Sequence, residues 1–450
     1  MIVNISFNIF DMNDTDDKQT NNKVLTFNAN KCTNIQLTWT RQDIIDPPPN
    51  IPETNENKET DDSDDEEEDE EQEHLDNGFF KPTYSHQIFK EDNIIGYDPL
   101  VLNIYMAAGS LTTYLETNYT LKSKNITNVE KELLNVFSKT DAPIPTKDQY
   151  IQYIEEKEAK FRPPGTKIHE YSINDRETGE ETNYEVYFGR ITDPGIVRYH
   201  EKLQVFVLWF IDGSSFIYTG DSNWDIFFIF KTVMIDGEKR YGIVGYCTLY
   251  NFYHHPSATR PRISQILILP PYQRNGHGKY LLNSIYNYYK NNDSIYGPVY
   301  DITVEDPADQ FDSLRNHVDL LNIKQSGLFN DVKMDISTLG NSELFENIRK
   351  QLLIPIKQGK ICFEIFLYSK FIGQSKSHPD YKNFRIHIKK RLYKQFIGDQ
   401  KDIPDANVGA NGEQQQLDPE TIEKNKLNAI IELYKNVEED YFETISSLQR

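Results

Sequence analysis

A strand pattern, two prolines and a helix pattern follow one another between residues 263 and 289. This order constrains the fold more than any other feature of the chain. Five of the seven residues over 263–269 are aliphatic, as in a buried strand. Pro270 and Pro271 cannot donate hydrogen bonds to a neighbouring strand, so the strand must end there. Residues 276–289 carry apolar side chains at helical spacing, which predicts an α-helix.

The patterns around this unit predict a mixed α/β fold. A strand is predicted after the helix, over 299–304, and strand, helix and strand at this spacing indicate a βαβ unit with a right-handed crossover. The remaining predicted elements are strands over 184–188, 225–231 and 241–252 and helices over 129–137 and 198–210. Beyond residue 330 helical patterns dominate.

The turn Gln273-Arg-Asn-Gly-His-Gly278 predicts an anion site. Its two glycines let backbone amides approach a ligand closely. The following helix presents free amides and the positive end of its dipole, which suits a pyrophosphate. The turn lacks the Gly-Lys-Ser/Thr ending of a P-loop and one glycine of the dinucleotide fingerprint. On these grounds alone, an ordinary strand-to-helix turn is an equally good interpretation.

Charge argues against nucleic acid as a direct partner. The formal net charge is −22, and nearly every residue from 59 to 73 is Asp or Glu. A run of like charges cannot collapse, so we expect a disordered, solvated segment over 46–76. Nucleic-acid binding needs a basic face, whereas an acidic chain suits a cationic protein partner.

The cysteines and apolar segments predict a soluble protein of a reducing compartment. The three cysteines are too widely spaced for a disulfide framework or an all-cysteine zinc site. The N-terminus has no basic region before its apolar residues, so no signal peptide is expected. The longest apolar run, 203–211, is too short to span a bilayer.

Several longer strings resemble one family. RPRISQILILPPYQRNGHGKYLL, DITVEDP, GYCTLYNFYHHP, YHEKLQVFVLWFID and YSHQIF are similar to the type B histone acetyltransferase catalytic subunits, which belong to the GNAT acetyltransferases. The strings keep the family's order from about Tyr84 to Arg315, with a weaker likeness over 381–396. The acidic segment departs from the family pattern.

The resemblance implies a domain order. An N-terminal mixed domain would precede a GNAT acyl-CoA N-acyltransferase core of α/β (α+β) class, and a helical domain would follow. The expected bounds are 1–45 for the start of the N-terminal domain, 46–76 for the acidic insert, 77–195 for the rest of that domain, 196–330 for the core and 331–450 for the C-terminal domain.

The resemblance also implies acetyl-coenzyme A as co-substrate, without a metal. The backbone of Ile266, Leu267 and Ile268 would contact its acetyl and pantetheine part. The residues implied to hold its pyrophosphate are Gln273, Arg274, Asn275, Gly276, His277, Gly278 and Lys279.

A carboxylate must take a proton from the acceptor lysine, because a lysine with a reference pKa of about 10.4 is an ammonium at neutral pH. Glu305 follows the strand after the cofactor helix and matches the family's general base. Asp306 adjoins it, and Asp212 lies where the family has a glutamate, which puts a direct role for this shorter side chain in doubt. Without the resemblance, an exposed cap is the commoner role of a carboxylate at a strand end.

Further residues match the family's histone contacts. They are Glu91, Asp92, Tyr250, Asn251 and Phe252, and the carboxylates among them suit a tail rich in Lys and Arg. Glu91 and Asp92 could equally form a plain acidic turn. His254 and His255 have no acidic residue at ligand spacing, so no metal is expected.

The expected substrate is the tail of newly made histone H-four with its histone partner, and the family works with a WD40 β-propeller subunit in the nucleus and cytoplasm. Three alternatives stay open. Cys247 could form an acetyl-cysteine intermediate, although such a residue is more often a buried hydrophobe. The acceptor could be another amine, or the chain could act mainly as a histone chaperone.

Overall fold

The structure is a computed structural model that describes residues 25–45, 78–137, 141–174, 179–375, 377–398 and 419–448. The predicted acidic insert lies outside the described residues. Of the helices within these ranges, none combines the length and the apolar character needed to cross a bilayer.

The N-terminal part is a four-stranded sheet with a small two-stranded sheet beside it. The larger sheet has the order β3-β2-β5-β6, and the smaller pairs β1 with β4. The strands are β1 Thr26–Asn28, β2 Thr33–Thr38, β3 Phe79–Phe80, β4 Asn93–Ile95, β5 Tyr97–Ala107 and β6 Thr113–Lys122. Their helices are α1 Ala29–Cys32, α2 Gln42–Ile45, α3 Val129–Phe137 and α4 Lys147–Glu156.

A six-stranded sheet forms the centre of the molecule. Its strands are β7 Thr166–Asn174, β8 Glu181–Arg190, β9 Trp224–Ile235, β10 Glu238–His254, β11 Ala258–Ile268 and β12 Thr303–Val304. They lie in the order β12-β11-β10-β9-β8-β7. All neighbours are antiparallel except β11 and β12, which are parallel.

Helices cover both faces of this sheet. They are α5 Pro194–Leu203, α6 Val207–Phe210, α7 His277–Asn291, α8 Asp309–Gln325, α9 Ser342–Leu352, α10 Ile356–Tyr368, α11 Pro379–Tyr393 and α12 Pro419–Leu448. Alternate side chains of β9 point to opposite faces, so Phe228 packs with α5, α6 and the N-terminal strands, whereas Phe227 packs with α7. The core on the α7 face continues to Tyr441 of α12.

Most predicted elements are confirmed. The helix predicted over 129–137 has these bounds, and β11 ends before Pro270 as expected. The strand predicted over 299–304 is shorter, because only Thr303 and Val304 pair continuously with β11. Before them, Ile302 donates its N–H to Leu353 O over 2.9 Å, which draws the chain towards the C-terminal helices. The domain boundaries remain predictions.

Candidate active site

The outer edge of β11 is open beyond Ile263. The short strand β12 pairs with Arg262 and Ile263 alone, and no other described strand continues along that edge. The Leu269 N–H points to β10, where it meets Val244 O at 2.9 Å, whereas Ile268 O accepts from Gln273 Nε2 at 2.8 Å. Backbone groups alternate sides along a strand, so Ile266 and Ile268 face the open edge. A ligand that carries amides can pair there.

Leu267 differs from the prediction. Its backbone lies in register with Tyr246 of β10, and the same alternation turns its N–H and C=O away from the open edge. Its side chain is buried in the core beneath the N-terminal strands. Three residues were predicted to contact a cofactor through their backbone, and only Ile266 and Ile268 turn their backbone groups to the open edge.

The turn after β11 presents the start of α7. Gly276 is its N-cap with φ 84°, a left-handed conformation that favours glycine. The first bond of this helix runs from Tyr280 N to Gly276 O at 3.3 Å, so the amides of residues 277–279 have no partner within the helix. Arg274 and Asn275 are exposed and Lys279 is half-buried around these amides. The turn can hold a phosphate group.

Gly278 has a role in helix packing beside the predicted approach of its backbone to a ligand. A Cβ placed there would lie 2.7 Å from Cδ2 of Leu314 on α8. The missing side chain thus lets α7 and α8 pack closely, whereas Gly276 has open space around it and is needed for its backbone angle.

His277 points its side chain into the protein, so it could contribute to the predicted pyrophosphate site only through its backbone. It is 1% exposed, and its Nδ1 lies 2.8 Å from the hydroxyl of Tyr171 on β7. Burial, assisted by the charge of Lys231, lowers the pKa of His277 to about 4, so the ring is neutral at pH 7. Only its backbone N–H faces the turn, with the other amides of the helix start.

Glu305 lies where β12 leaves β11. Its N–H donates to Ile263 O over 2.9 Å, and its exposed carboxylate accepts from Ser264 Oγ at 3.1 Å. Ser264 has no partner on β10, because Ile263 pairs with Leu249 and Gln265 with Thr248. This β-bulge directs Ser264 towards Glu305. A carboxylate is thereby fixed at the start of the open edge.

The loop that carries Asp212 is tied to the next residue of the same strand. Gln265 Nε2 donates to Ser215 O at 2.8 Å and lies 3.4 Å from Ser214 Oγ. Because Ser264 and Gln265 are adjacent, they bring Glu305 and the Asp212 loop to the same part of the sheet. Asp306, exposed and with φ 34°, follows Glu305.

The turn that carries Glu91 and Asp92 lies beside this loop. His86 Nε2, on the same turn, is 3.5 Å from Asp212 Oδ1. Asp92 Oδ1 accepts from both N and Oγ of Ser85 at 2.7 Å, so this carboxylate holds the turn together. Glu91 has a side chain that is 76% exposed, and its Oε1 lies 3.6 Å from Nζ of Lys90, which is also exposed. A cationic ligand that binds Glu91 would therefore compete with this surface ion pair.

Aromatic side chains form a wall next to Glu305. Trp224, Tyr250, Arg262 and Thr303 lie in register across four strands. The rings of Trp224 and Tyr250 are 5.0 Å apart at 76°, and Phe252 lies 4.6 Å from Tyr250. The Tyr250 hydroxyl donates to Asp221 Oδ2 at 2.9 Å and accepts from Asn223 Nδ2 at 3.2 Å. Sequence reasoning did not select Trp224, although its place at the start of a strand was a signal.

Asn251 differs from its predicted role in substrate contact. It is fully buried on the opposite face from Tyr250, where its Nδ2 donates to Asp225 Oδ2 at 2.9 Å and to Asn223 O at 3.1 Å. Its Oδ1 accepts from Ser294 Oγ at 3.0 Å. Its side chain therefore supports the wall from behind and does not face a ligand.

Comparisons with known proteins show the family of this chain. Residues 25–212 match the family described as "Histone acetyl transferase HAT1 N-terminus", and residues 199–306 match "Acetyltransferase (GNAT) family". Two histone acetyltransferase type B catalytic subunits of Dictyostelium discoideum are 53% and 52% identical, each over 96% of this chain and 98% of its own length. The Homo sapiens subunit is 33% identical over 71% of this chain and 76% of its own.

The chain belongs to the histone acetyltransferase type B catalytic subunits. It is an acetyltransferase with a GNAT core, as the sequence predicted.

GNAT acetyltransferases use acetyl-coenzyme A, and the residues of this type B subunit fit that compound. The amides at the start of α7 can bind its pyrophosphate, with Arg274 and Lys279 adding positive charge. The open edge at Ile266 and Ile268 can pair with the amides of its pantetheine arm. When bound, the compound supplies a thioester, which is an activated acetyl group.

Cys247 is poorly suited to an acetyl-cysteine intermediate in this enzyme. It is fully buried, and desolvation raises the pKa of its thiol well above the usual range. The thiolate is the nucleophilic form, so this environment makes the residue inert. Within the described part of the chain, no group of three or more His, Cys, Asp or Glu could hold a metal ion.

The C-terminal helices of the enzyme hold the segment that leads to Glu305. Arg349 of α9 donates to Tyr300 O at 2.8 Å, and its guanidinium lies 3.6 Å from the centre of the Tyr300 ring. Arg315 of α8 donates to Ile302 O at 3.0 Å. Arg260 of β11 binds Asp301 through two bonds of 2.6 and 2.9 Å. These contacts fix the backbone just before the catalytic candidate.

Proposed function

We propose that this enzyme acetylates a lysine in the tail of newly made histone H-four by direct attack of the amine on acetyl-coenzyme A. The relatives named as histone acetyltransferases support a histone substrate. The observation that carries the mechanism is Glu305, held by Ser264 beside the open edge of β11.

The lysine side chain would lie along the surface formed by Trp224, Tyr250 and Phe252. The rings of Trp224 and Tyr250 are in edge-to-face contact in the row next to the Ser264 bulge, so together they offer an apolar surface against which an alkyl chain can pack. Tyr250 is held rigidly by Asp221 and Asn223, so its ring can serve as a fixed wall. This surface leads to Glu305, where the nitrogen would be placed.

Glu305 would remove a proton from the lysine ammonium, directly or through a water. The free amine then attacks the carbonyl carbon of the thioester, a C–N bond forms, the C–S bond breaks, and coenzyme A leaves as a thiolate that takes up a proton. A backbone N–H on the open edge, at Ile266 or Ile268, can stabilise the oxyanion of the tetrahedral intermediate. Asp212 and Asp306 would assist through their negative charge.

Exposed carboxylates around the site would attract the basic tail. Glu91 is exposed, and His86 links its turn to the Asp212 loop. Negative groups around a channel favour encounter with a cationic peptide, an effect that weakens as salt increases. We also propose a WD40 β-propeller subunit as partner, with the nucleus and cytoplasm as locations, on the strength of the family resemblance alone.

The test is acetyl transfer from labelled acetyl-coenzyme A to core histones, with the modified residues mapped by mass spectrometry. The proposal predicts label on lysines of the histone H-four tail. Label on protein N-termini or on polyamines with none on histone lysines would overturn it. High histone affinity in the Glu305→Gln variant together with negligible turnover in the unmodified enzyme would favour the chaperone alternative.

A further inference from the structure

Arg262 differs in its surroundings from the neighbouring arginine on its strand. Arg260, two residues earlier, is bound by both oxygens of Asp301. Arg262 is half-buried, and among the residues that the structure describes no Asp or Glu forms an ion pair with it. Its guanidinium carbon lies 4.6 Å from the centre of the Phe252 ring. The positive charge of Arg262 is therefore not neutralised by a carboxylate of the described residues.

Arg262 lies beside the surface of Trp224, Tyr250 and Phe252 that we propose for the lysine side chain. It is in register with Tyr250 on one side and with Thr303 on the other. Ile263 is buried in the α7-side core, so Arg262 points to the opposite face, which it shares with Tyr250 and Phe252. Ser264, which binds Glu305, is two residues further along, or about 7 Å away.

Phe252 keeps the guanidinium at this place. The ring is 39% exposed, so Phe252 and Arg262 form a surface that a ligand can reach. An arginine over an aromatic face is held by a cation–π interaction. Of the other charged residues near the site, Asp212 lies 3.5 Å from His86 and Glu91 lies 3.6 Å from Lys90, whereas Arg262 has no ion-pair partner among the described residues.

We propose that Arg262 selects the charge of the substrate residue that flanks the acceptor lysine. Uncharged and acidic residues are accepted there, and Lys or Arg is disfavoured. The inference rests on the proposed function, because a lysine that packs along Tyr250 with its nitrogen at Glu305 brings its own peptide backbone to the surface of Phe252 and Arg262. Basic residues further along the tail would face the turn that carries Glu91 and the loop that carries Asp212. The site would therefore accept a peptide that is cationic overall but has no basic residue beside the acceptor lysine.

The experiment uses the full chain and peptides with one acceptor lysine. Gln, Arg or Glu is placed immediately before or immediately after that lysine, and kcat/KM is measured for each peptide. For the unmodified enzyme, Arg at one of the two positions should lower kcat/KM about two- to fivefold relative to Gln, the range expected for a partly exposed charge pair. The Arg262→Gln variant should lose this preference, and Arg262→Glu should reverse it.

A matched control makes the same change of net charge elsewhere. Lys290, exposed in the last turn of α7, is replaced by Glu. This variant should keep the order of preference of the unmodified enzyme, which separates a local effect from general attraction of cations. An unchanged affinity for acetyl-coenzyme A shows that each variant is folded.

The outcomes separate the two proposals. Acetylation of the peptides with no charge preference, or a preference that Arg262→Glu leaves unchanged, overturns the role of Arg262 alone. If no peptide is acetylated and another amine is, both the proposed function and the role of Arg262 are overturned. A reversed preference supports both, and a misfolded protein cannot produce it.

Discussion

The hydroxyl of Ser264 lies 3.1 Å from Oε2 of Glu305, and this bond joins a bulge in β11 to the residue that follows β12. The bulge lets a residue of the central strand turn towards the neighbouring edge. At the same point β12 ends on the other side of β11, so the carboxylate is fixed beside the start of the open edge.

Ser264→Ala should slow the chemical step. Without the hydroxyl the Glu305 side chain is free to leave its position, and loss of about 1 kcal/mol of positioning corresponds to roughly a fivefold lower kcat. The KM for acetyl-coenzyme A should stay the same, because the α7 turn is untouched. Steady-state kinetics test this, with Ser264→Thr, which keeps a hydroxyl, as the control. Equal loss in both variants would contradict the assignment.

Gly278→Ala should weaken cofactor binding through a steric effect. The added methyl group would lie 2.7 Å from Leu314 Cδ2, so the Leu314 side chain must turn away or α7 must shift away from α8. Overpacking of this kind costs about 1–3 kcal/mol, and a shift of α7 would move the amides that we propose bind phosphate. Calorimetry of acetyl-coenzyme A binding should show the loss.

Leu314→Ala in the same protein should restore much of that affinity, because it removes the clashing atoms. A double variant no better than Gly278→Ala would mean that the glycine is needed for close approach of the ligand itself, as the sequence had suggested.

Arg349→Met should lower kcat with little effect on the KM for acetyl-coenzyme A. The variant removes the bond to Tyr300 O and the guanidinium over its ring, so the segment before Glu305 is less well fixed. We expect roughly a tenfold loss, or about 1.4 kcal/mol. Lys350→Met, an exposed neighbour on α9, is the control and should behave as the unmodified enzyme. A rise in this KM with kcat unchanged would refute a positioning role for Arg349.

His200→Leu should reduce the loss of stability in acid. His200 is fully buried in α5, neither ring nitrogen has a hydrogen-bond partner among the described residues, and desolvation lowers its pKa to about 3. In the unfolded chain its pKa is about 6.5, so unfolding takes up a proton between these values. The free energy of unfolding therefore falls as pH falls from about 6.5 to about 3.

Replacing His200 by Leu should reduce the slope of the free energy of unfolding against pH by about 1.4 kcal/mol per pH unit. Urea unfolding between pH 4 and pH 7 measures it. The slope should not vanish, because His277 has a pKa of about 4 in the folded protein and acts in the same direction. An unchanged slope in His200→Leu would show that His200 is already protonated when buried.

Local sequence signals predicted the frame of the site. The end of β11 was predicted from Pro270 and Pro271, and α7 was predicted from the helical spacing of its apolar residues. Both signals depend only on residues that are close together in the sequence. The placement of Glu305 depended on the resemblance, because a carboxylate after a strand has no distinctive local pattern.

Side-chain direction was harder to predict. His277 and Asn251 occupy positions in the predicted motifs, yet both turn inward, because the face that a strand or helix residue presents depends on tertiary packing. The bulge at Ser264 arises from a mismatch of one residue between two strands, and neither sequence shows it alone. Trp224 and Arg262 gained their importance only when the register brought them beside Tyr250.

The most direct test of the account is Glu305→Gln, with acetyl-coenzyme A affinity and acetyl transfer to the histone H-four tail measured on the same protein. The substitution keeps the size of the side chain and its capacity to accept from Ser264, but it removes the base. We predict an unchanged dissociation constant for acetyl-coenzyme A and a kcat at pH 7 lower by about 10²–10⁴-fold. Turnover close to that of the unmodified enzyme would contradict the account.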